Sequence, residues 1–123
     1  VEAAQGAKLK EDVVKIYVDN AGKQFTVSKD PEPKNDQHGK QRNERETGRP
    51  LWSTQVFVLD ETGGEVIQVT TAGEKPTVRQ GQLVSLVQLE AIPWAMENNG
   101  KARSGVSYRA LDIKPADSRS ASK

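Results

Sequence analysis

Apolar residues in this chain gather into short runs rich in β-branched side chains, and clusters of Gly, Asn, Asp and Pro separate the runs. No stretch sustains the period of 3.6 that an amphipathic helix requires, so the pattern predicts strands. The first run is Asp12 to Val18. It stops at Asp19-Asn20-Ala21-Gly22, after which Lys23 to Ser28 either returns as a partner or continues past a bulge. Leu51 to Leu59 is the clearest strand, and Asp60-Glu61-Thr62-Gly63-Gly64 supplies turn chemistry before Glu65 to Thr71 completes a hairpin. Leu83 to Ile92 reads as a fourth strand ended by Pro93. Gly105 to Ile113 reads as a fifth, with Asn98-Asn99-Gly100 between the two.

The connections differ in kind. Lys29 to Pro50 holds almost no apolar residue and is expected to be a long flexible loop between strands one and two. Ala72 to Gln82, with Gly73, Pro76 and Gly81, leaves room for at most one helical turn. Val1 to Lys10 and Ala116 to Lys123 are small, polar and charged, which predicts disordered tails around one domain over residues 11–115.

Five antiparallel strands with a long first loop, a tight second hairpin and a Gly-containing last loop match an all-β OB-type fold, a partly open Greek-key barrel. Other small barrels are compatible, whereas an immunoglobulin-like sandwich needs about seven strands. Side-chain alternation assigns Val56, Val58, Ile67, Val69, Leu86 and Ile113 to the core. In the fourth strand a bulge would exchange Val84 and Leu86 for Leu83, Ser85 and Val87.

Composition narrows the class. The chain has 123 residues, 34% hydrophobic and 28% charged, enough for one modest core. Its 18 basic and 17 acidic residues leave a net charge of +1, so any basic surface must come from patterning. No cysteine is present, which excludes disulfides and thiol catalysis and is compatible with a cytoplasmic location. No run approaches the roughly 20 apolar residues of a membrane span. The start Val1-Glu2-Ala3-Ala4 lacks the basic and apolar regions of a signal peptide.

Thr47-Gly48-Arg49-Pro50-Leu51-Trp52, Ile92-Pro93-Trp94 and Gly105-Val106-Ser107-Tyr108-Arg109-Ala110 resemble segments of small proteins of actinobacterial plasmids and integrating conjugative elements. The resemblance covers roughly residues 12 to 114. It implies a setting in DNA transfer, replication or maintenance, with a single-stranded-DNA-binding OB domain as the nearest functional analogue.

An OB-type domain holds its ligand across strands two and three, between the loop joining strands one and two and the loop joining strands four and five. The first of these loops carries Lys29, Lys34, Lys40, Arg42, Arg45 and Arg49 among Asp30, Glu32, Asp36, Glu44 and Glu46. Such mixed charge either solubilises the loop or, if geometry separates the signs, tracks a phosphate backbone. Lys101, Arg103 and Arg109 add cations near the second loop. Stacking of bases needs flat aromatic surfaces. Phe57 shares the more polar face of strand two with Ser53 and Gln55, which makes it the better candidate, while Trp52 is open to either rim packing or the groove. Trp94 either plugs the barrel end or meets a ligand. Tyr108 shares a face with Val106 and Ala110 and is favoured for the core, so Arg109 points outward.

Enzymatic signals are weak. His38 is the lone histidine, lies in the polar loop and has no nucleophile or metal-ligand partner at telling spacing, so a solvated role is expected. Asp60-Glu61 is a turn pair, and no phosphate-loop or dinucleotide motif is present. No catalytic residue, metal site or cofactor is expected. The expected function is noncatalytic binding of single-stranded DNA with little sequence preference through Arg45, Arg49, Trp52, Phe57, Trp94, Lys101, Arg103 and Arg109. The alternative is a protein-interaction module that docks a component of a replication or conjugative transfer machine through a strand edge or the long loop.

Overall fold

The computed structural model describes residues 15–116, so the expected N-terminal tail, most of the C-terminal tail and the start of the first predicted strand lie outside the described residues. The described chain is all β. It forms β1 (Ile16–Tyr17), β2 (Gln24–Pro33), β3 (Leu51–Asp60), β4 (Gly63–Ala72), β5 (Leu83–Val87), β6 (Glu90–Asn98), β7 (Lys101–Arg109) and β8 (Asp112–Pro115). All belong to one sheet in the order β1-β6-β7-β4-β3-β2-β5-β8. Every pairing is antiparallel except β4 with β7, which run parallel through Val69↔Tyr108 and Thr70↔Arg109. No described residue is helical, and no helix is long and apolar enough to cross a membrane.

The expected five-stranded, all-antiparallel barrel is therefore corrected to an eight-stranded mixed sheet whose hydrogen-bonded ladder does not close. Local backbone breaks account for the extra strands. Gly22, with φ 76, turns the chain between β1 and β2, and these two then pair with different partners. Gln88, with φ 49, divides the predicted fourth strand into β5 and β6. Ala110 and Leu111 likewise divide the predicted fifth strand into β7 and β8.

Pro93 does not end a strand, because β6 continues to Asn98. Leu89 presents its carbonyl to the Val18 N–H on the β1 side, and alternate residues of a strand repeat that orientation. The N–H that Pro93 lacks would thus point away from β7, so the β6–β7 ladder loses no bond.

Although the ladder is open, the sheet must roll. Laid flat, β6 and β5 would stand roughly 24 Å apart across the intervening strands. Only Gln88 and Leu89 link them, a stretch that spans at most about 11 Å. The rolled ends are pinned by Val18 N–H to Leu89 O at 2.9 Å and by Asn20 Nδ2 to Leu86 O at 3.0 Å. Within the sheet, β5-β2-β3-β4 has the spatial order of a Greek key.

Rolling encloses Phe25, Val27, Val56, Ile67, Val69, Val84, Leu86, Leu89 and Ile113 as the core. The predicted alternation in β3 and β4 is the observed one, with Val58 half-buried against the core rather than inside it. Val84 and Leu86 face inward together. One end of the roll is plugged by Pro76 and Val78 from the segment between β4 and β5, anchored by Gly81 N–H to Val27 O at 2.7 Å.

The long insert is also more ordered than its composition predicts. Lys29–Pro33 belongs to β2, although with register shifts against β3. The remainder folds on itself through the bridges Asn35↔Gln41 and Asn43↔Pro50. Backbone bonds from Lys34 N–H to Leu51 O and from Leu51 N–H to Arg42 O tie it to β3. Backbone pairing thus replaces the missing apolar anchors.

Candidate nucleic-acid interface

The period of two sends Ser53, Gln55 and Phe57 of β3 and Val66, Gln68 and Thr70 of β4 to the outer face of the roll. Polar members of this face are already paired. Ser53 Oγ donates to Gln68 Oε1 at 2.9 Å, and Ser28 Oγ of β2 donates to Gln55 Oε1 at 3.2 Å. Phe57 is 36% exposed. Its ring fills the space that a Cβ on Gly64 would need, a diagonal aromatic–glycine contact across the hairpin.

Beside this face runs a groove of about 590 Å³. It exists because β4 and β7 pair only at Val69–Thr70, so the Gly63–Gln68 part of β4 and the outer part of β7 have no ladder between them. Its banks include Lys34, Gln68, Thr70, Val106, Ser107 and Tyr108. Lys34 Nζ donates to Thr70 Oγ1 at 2.9 Å. Burial lowers the Lys34 pKa from its ordinary value, and the positive charges of Arg42 and Arg109 lower it further.

Beyond the groove, β6 and β7 continue as a two-stranded arm closed by the Asn99-Gly100 turn, whose φ values of 54 and 77 suit a type I′ hairpin. Trp94 sits opposite Gly105, Met96 opposite Arg103 and Asn98 opposite Lys101, so one face of the arm carries Trp94, Met96, Arg103 and Lys101. The Trp94 ring covers Gly105 and remains 38% exposed, so it does not plug the barrel end.

The other expected residues lie elsewhere. Trp52 is half-buried and donates Nε1–H to Gly73 O at 2.7 Å, which sets its indole against the end of β4. The Arg49 guanidinium lies against the same Gly73. Arg49 and Arg109 share a cleft of about 200 Å³ with Glu44 and Glu90. Arg109 donates to the Glu44 carboxylate, which fastens the folded insert to the end of β7. Arg45 is exposed in the turn that follows Glu44.

Arg49 and Arg109 are thus brought together with two acids, while Lys101 and Arg103 stand on the arm roughly 20 to 26 Å along β7 from Arg109. Phe57 lies on the open face between these groups. The sequence reading missed the groove residues Thr70, Gln68 and Ser107 and named Lys34 only among the loop charges. Their juxtaposition needs three separate segments, so no local motif announces it.

Two turns have strong carboxylate anchors. Asp36 accepts the backbone N–H groups of His38 at 2.8 Å and Lys40 at 3.0 Å, which lowers its pKa, and His38 stays exposed. Asp60 accepts the Thr62 hydroxyl and the Lys23 ammonium, bonds that lower its pKa to about 2. Among the described residues, no three acidic or histidine side chains gather as metal ligands would. Comparison with protein-family models, curated proteins and solved structures found no match for this chain.

Proposed function

We propose that the protein binds single-stranded DNA without catalysis, the strand lying along the groove beside the outer β3–β4 face and reaching the arm. The observation that carries this reading is the groove itself, with Lys34 inside it and exposed Phe57, Val66 and Val106 around it. The Greek-key order β5-β2-β3-β4 supports reading the roll as an open OB-type barrel in which β5 and β6 together form the fourth strand. In that fold, oligonucleotides cross this same face. The folded insert then corresponds to the first ligand-gripping loop, and the arm to the second. Sequence preference is low because phosphate contacts and base stacking are both insensitive to base identity. The resemblance noted above sets this activity in plasmid or conjugative-element replication or transfer, in the cytoplasm.

A second reading has its own observation. The arm exposes Trp94, Met96 and Val106, and the cations Arg49 and Arg109 lie beside acids, which favours a protein-interaction module at the arm. Titration with single-stranded DNA, duplex DNA and RNA at two salt concentrations separates the readings. Single-strand binding that weakens with salt is expected. No affinity for any nucleic acid at low salt would shift the assignment to protein docking.

A further inference from the structure

Lys34 leaves β2 directly after Pro33, and its ammonium enters the groove half-buried. Its hydrogen-bond partner there is the neutral hydroxyl of Thr70 at 2.9 Å. The charges that act on it most strongly are the cations Arg42 and Arg109, and among the described residues no carboxylate forms an ion pair with it. Lys23 and Lys29, by contrast, are paired with Asp60 and Glu32. Burial and the positive charges of Arg42 and Arg109 disfavour the Lys34 ammonium ion, and an oxyanion beside it would offset both. The surrounding side chains suit that anion, since the Gln68 amide and the Thr70 and Ser107 hydroxyls offer donors along the groove.

We infer that Lys34 anchors a phosphate subsite in the groove, which takes one phosphodiester of the bound strand beside the Thr70 and Ser107 hydroxyls. The inference rests on the single-strand reading for the identity of the polymer, but the subsite itself requires only a phosphate-type anion.

The test compares wild type, Lys34→Ala, Lys34→Met, Lys34→Arg and the control Lys29→Ala, each first checked for an unchanged unfolding midpoint. Binding of a 12-nucleotide oligo(dT) is measured across a salt series, and tripolyphosphate binding is measured separately by calorimetry. Lys34→Ala and Lys34→Met should each weaken oligo(dT) binding about tenfold. Both should flatten the log–log salt slope by about 0.7, one phosphate's share for a single strand. Lys34→Arg should restore most of the affinity, Lys29→Ala should leave it near wild type, and tripolyphosphate should bind wild type but neither neutral variant. If oligo(dT) binds wild type and the neutral variants with equal affinity and slope, the subsite is overturned and the single-strand reading stands. If wild type binds tripolyphosphate through Lys34 but not oligo(dT), the subsite stands and the single-strand reading falls. Binding of neither probe overturns both.

Discussion

The β2–β3–β4 meander and the β6–β7 arm are equally regular as backbone and differ in what their side chains meet. In the meander, buried and exposed residues alternate, and Phe25, Val27, Val56, Ile67 and Val69 close on one another inside the roll. In the arm, pairing is unbroken from Glu90↔Arg109 to Asn98↔Lys101, yet burial fades beyond Ile92 and both faces are open. A complete ladder does not require a core beneath it. It does require something else, because an isolated two-stranded hairpin is marginal in water. The arm has the Asn99-Gly100 turn and the Trp94 ring laid on Gly105. The meander therefore carries stability, and the arm's side chains stay exposed.

The largest expected effect lies in the meander. Phe25→Ala removes a buried ring from the centre of the core and should cost about 3 to 5 kcal/mol, read from chemical denaturation. A loss below about 1 kcal/mol would break the contrast, since the core would then not reside where the alternation puts it.

Thr54→Val sharpens the contrast in the opposite direction. The Thr54 hydroxyl is fully buried and has no hydrogen-bond partner, so an isosteric methyl should stabilise the fold by about 1 kcal/mol. A destabilised variant would mean that the hydroxyl makes a bond that matters.

Core positions were legible in the sequence because they depend on period two alone. Thr54 and Val56 face inward and Phe57 outward, as counting along the strand predicts, and Asp60 to Gly63 turns as its residue types require. The arm was not legible. Pro93 reads as a strand end when the chain is taken by itself, and is tolerated within β6 because the N–H it lacks would point away from β7. The insert misled for the reverse reason. Its polar composition suggests mobility, yet Glu44 reaches Arg109 across the chain and backbone bridges order the rest. The groove depends on the short parallel pairing of β4 with β7, a long-range event that leaves no local signature.

A smaller effect follows from the meander's β3–β4 turn. The Thr62 hydroxyl, and after it the Lys23 ammonium, lower the folded-state pKa of Asp60 to about 2, below its unfolded value near 4. A depressed carboxylate pKa contributes stability that is present above the unfolded value and is lost as pH falls through the folded one. Wild type should therefore lose stability between about pH 4 and pH 2, and Asp60→Asn should flatten that part of the curve. Identical pH profiles for the two proteins would show that the turn is not coupled to folding. The smallest effect belongs to the arm. Met96 is 54% exposed, so Met96→Ala should change stability by no more than about 0.5 kcal/mol. A larger loss would show that the arm is packed in solution.

The central claim is that the groove between the β3–β4 outer face and the arm receives a single strand. Backbone amide spectra recorded during titration with oligo(dT) test it most directly, because they report every segment at once. The account predicts that shifts concentrate at Ser53, Phe57, Val66–Thr70 and Val106–Ser107, extend along the arm to Lys101 and Arg103, and leave β5 and β8 unmoved. An absence of shifts at low salt, or shifts confined to the Arg49–Trp52–Gly73 end, would contradict it.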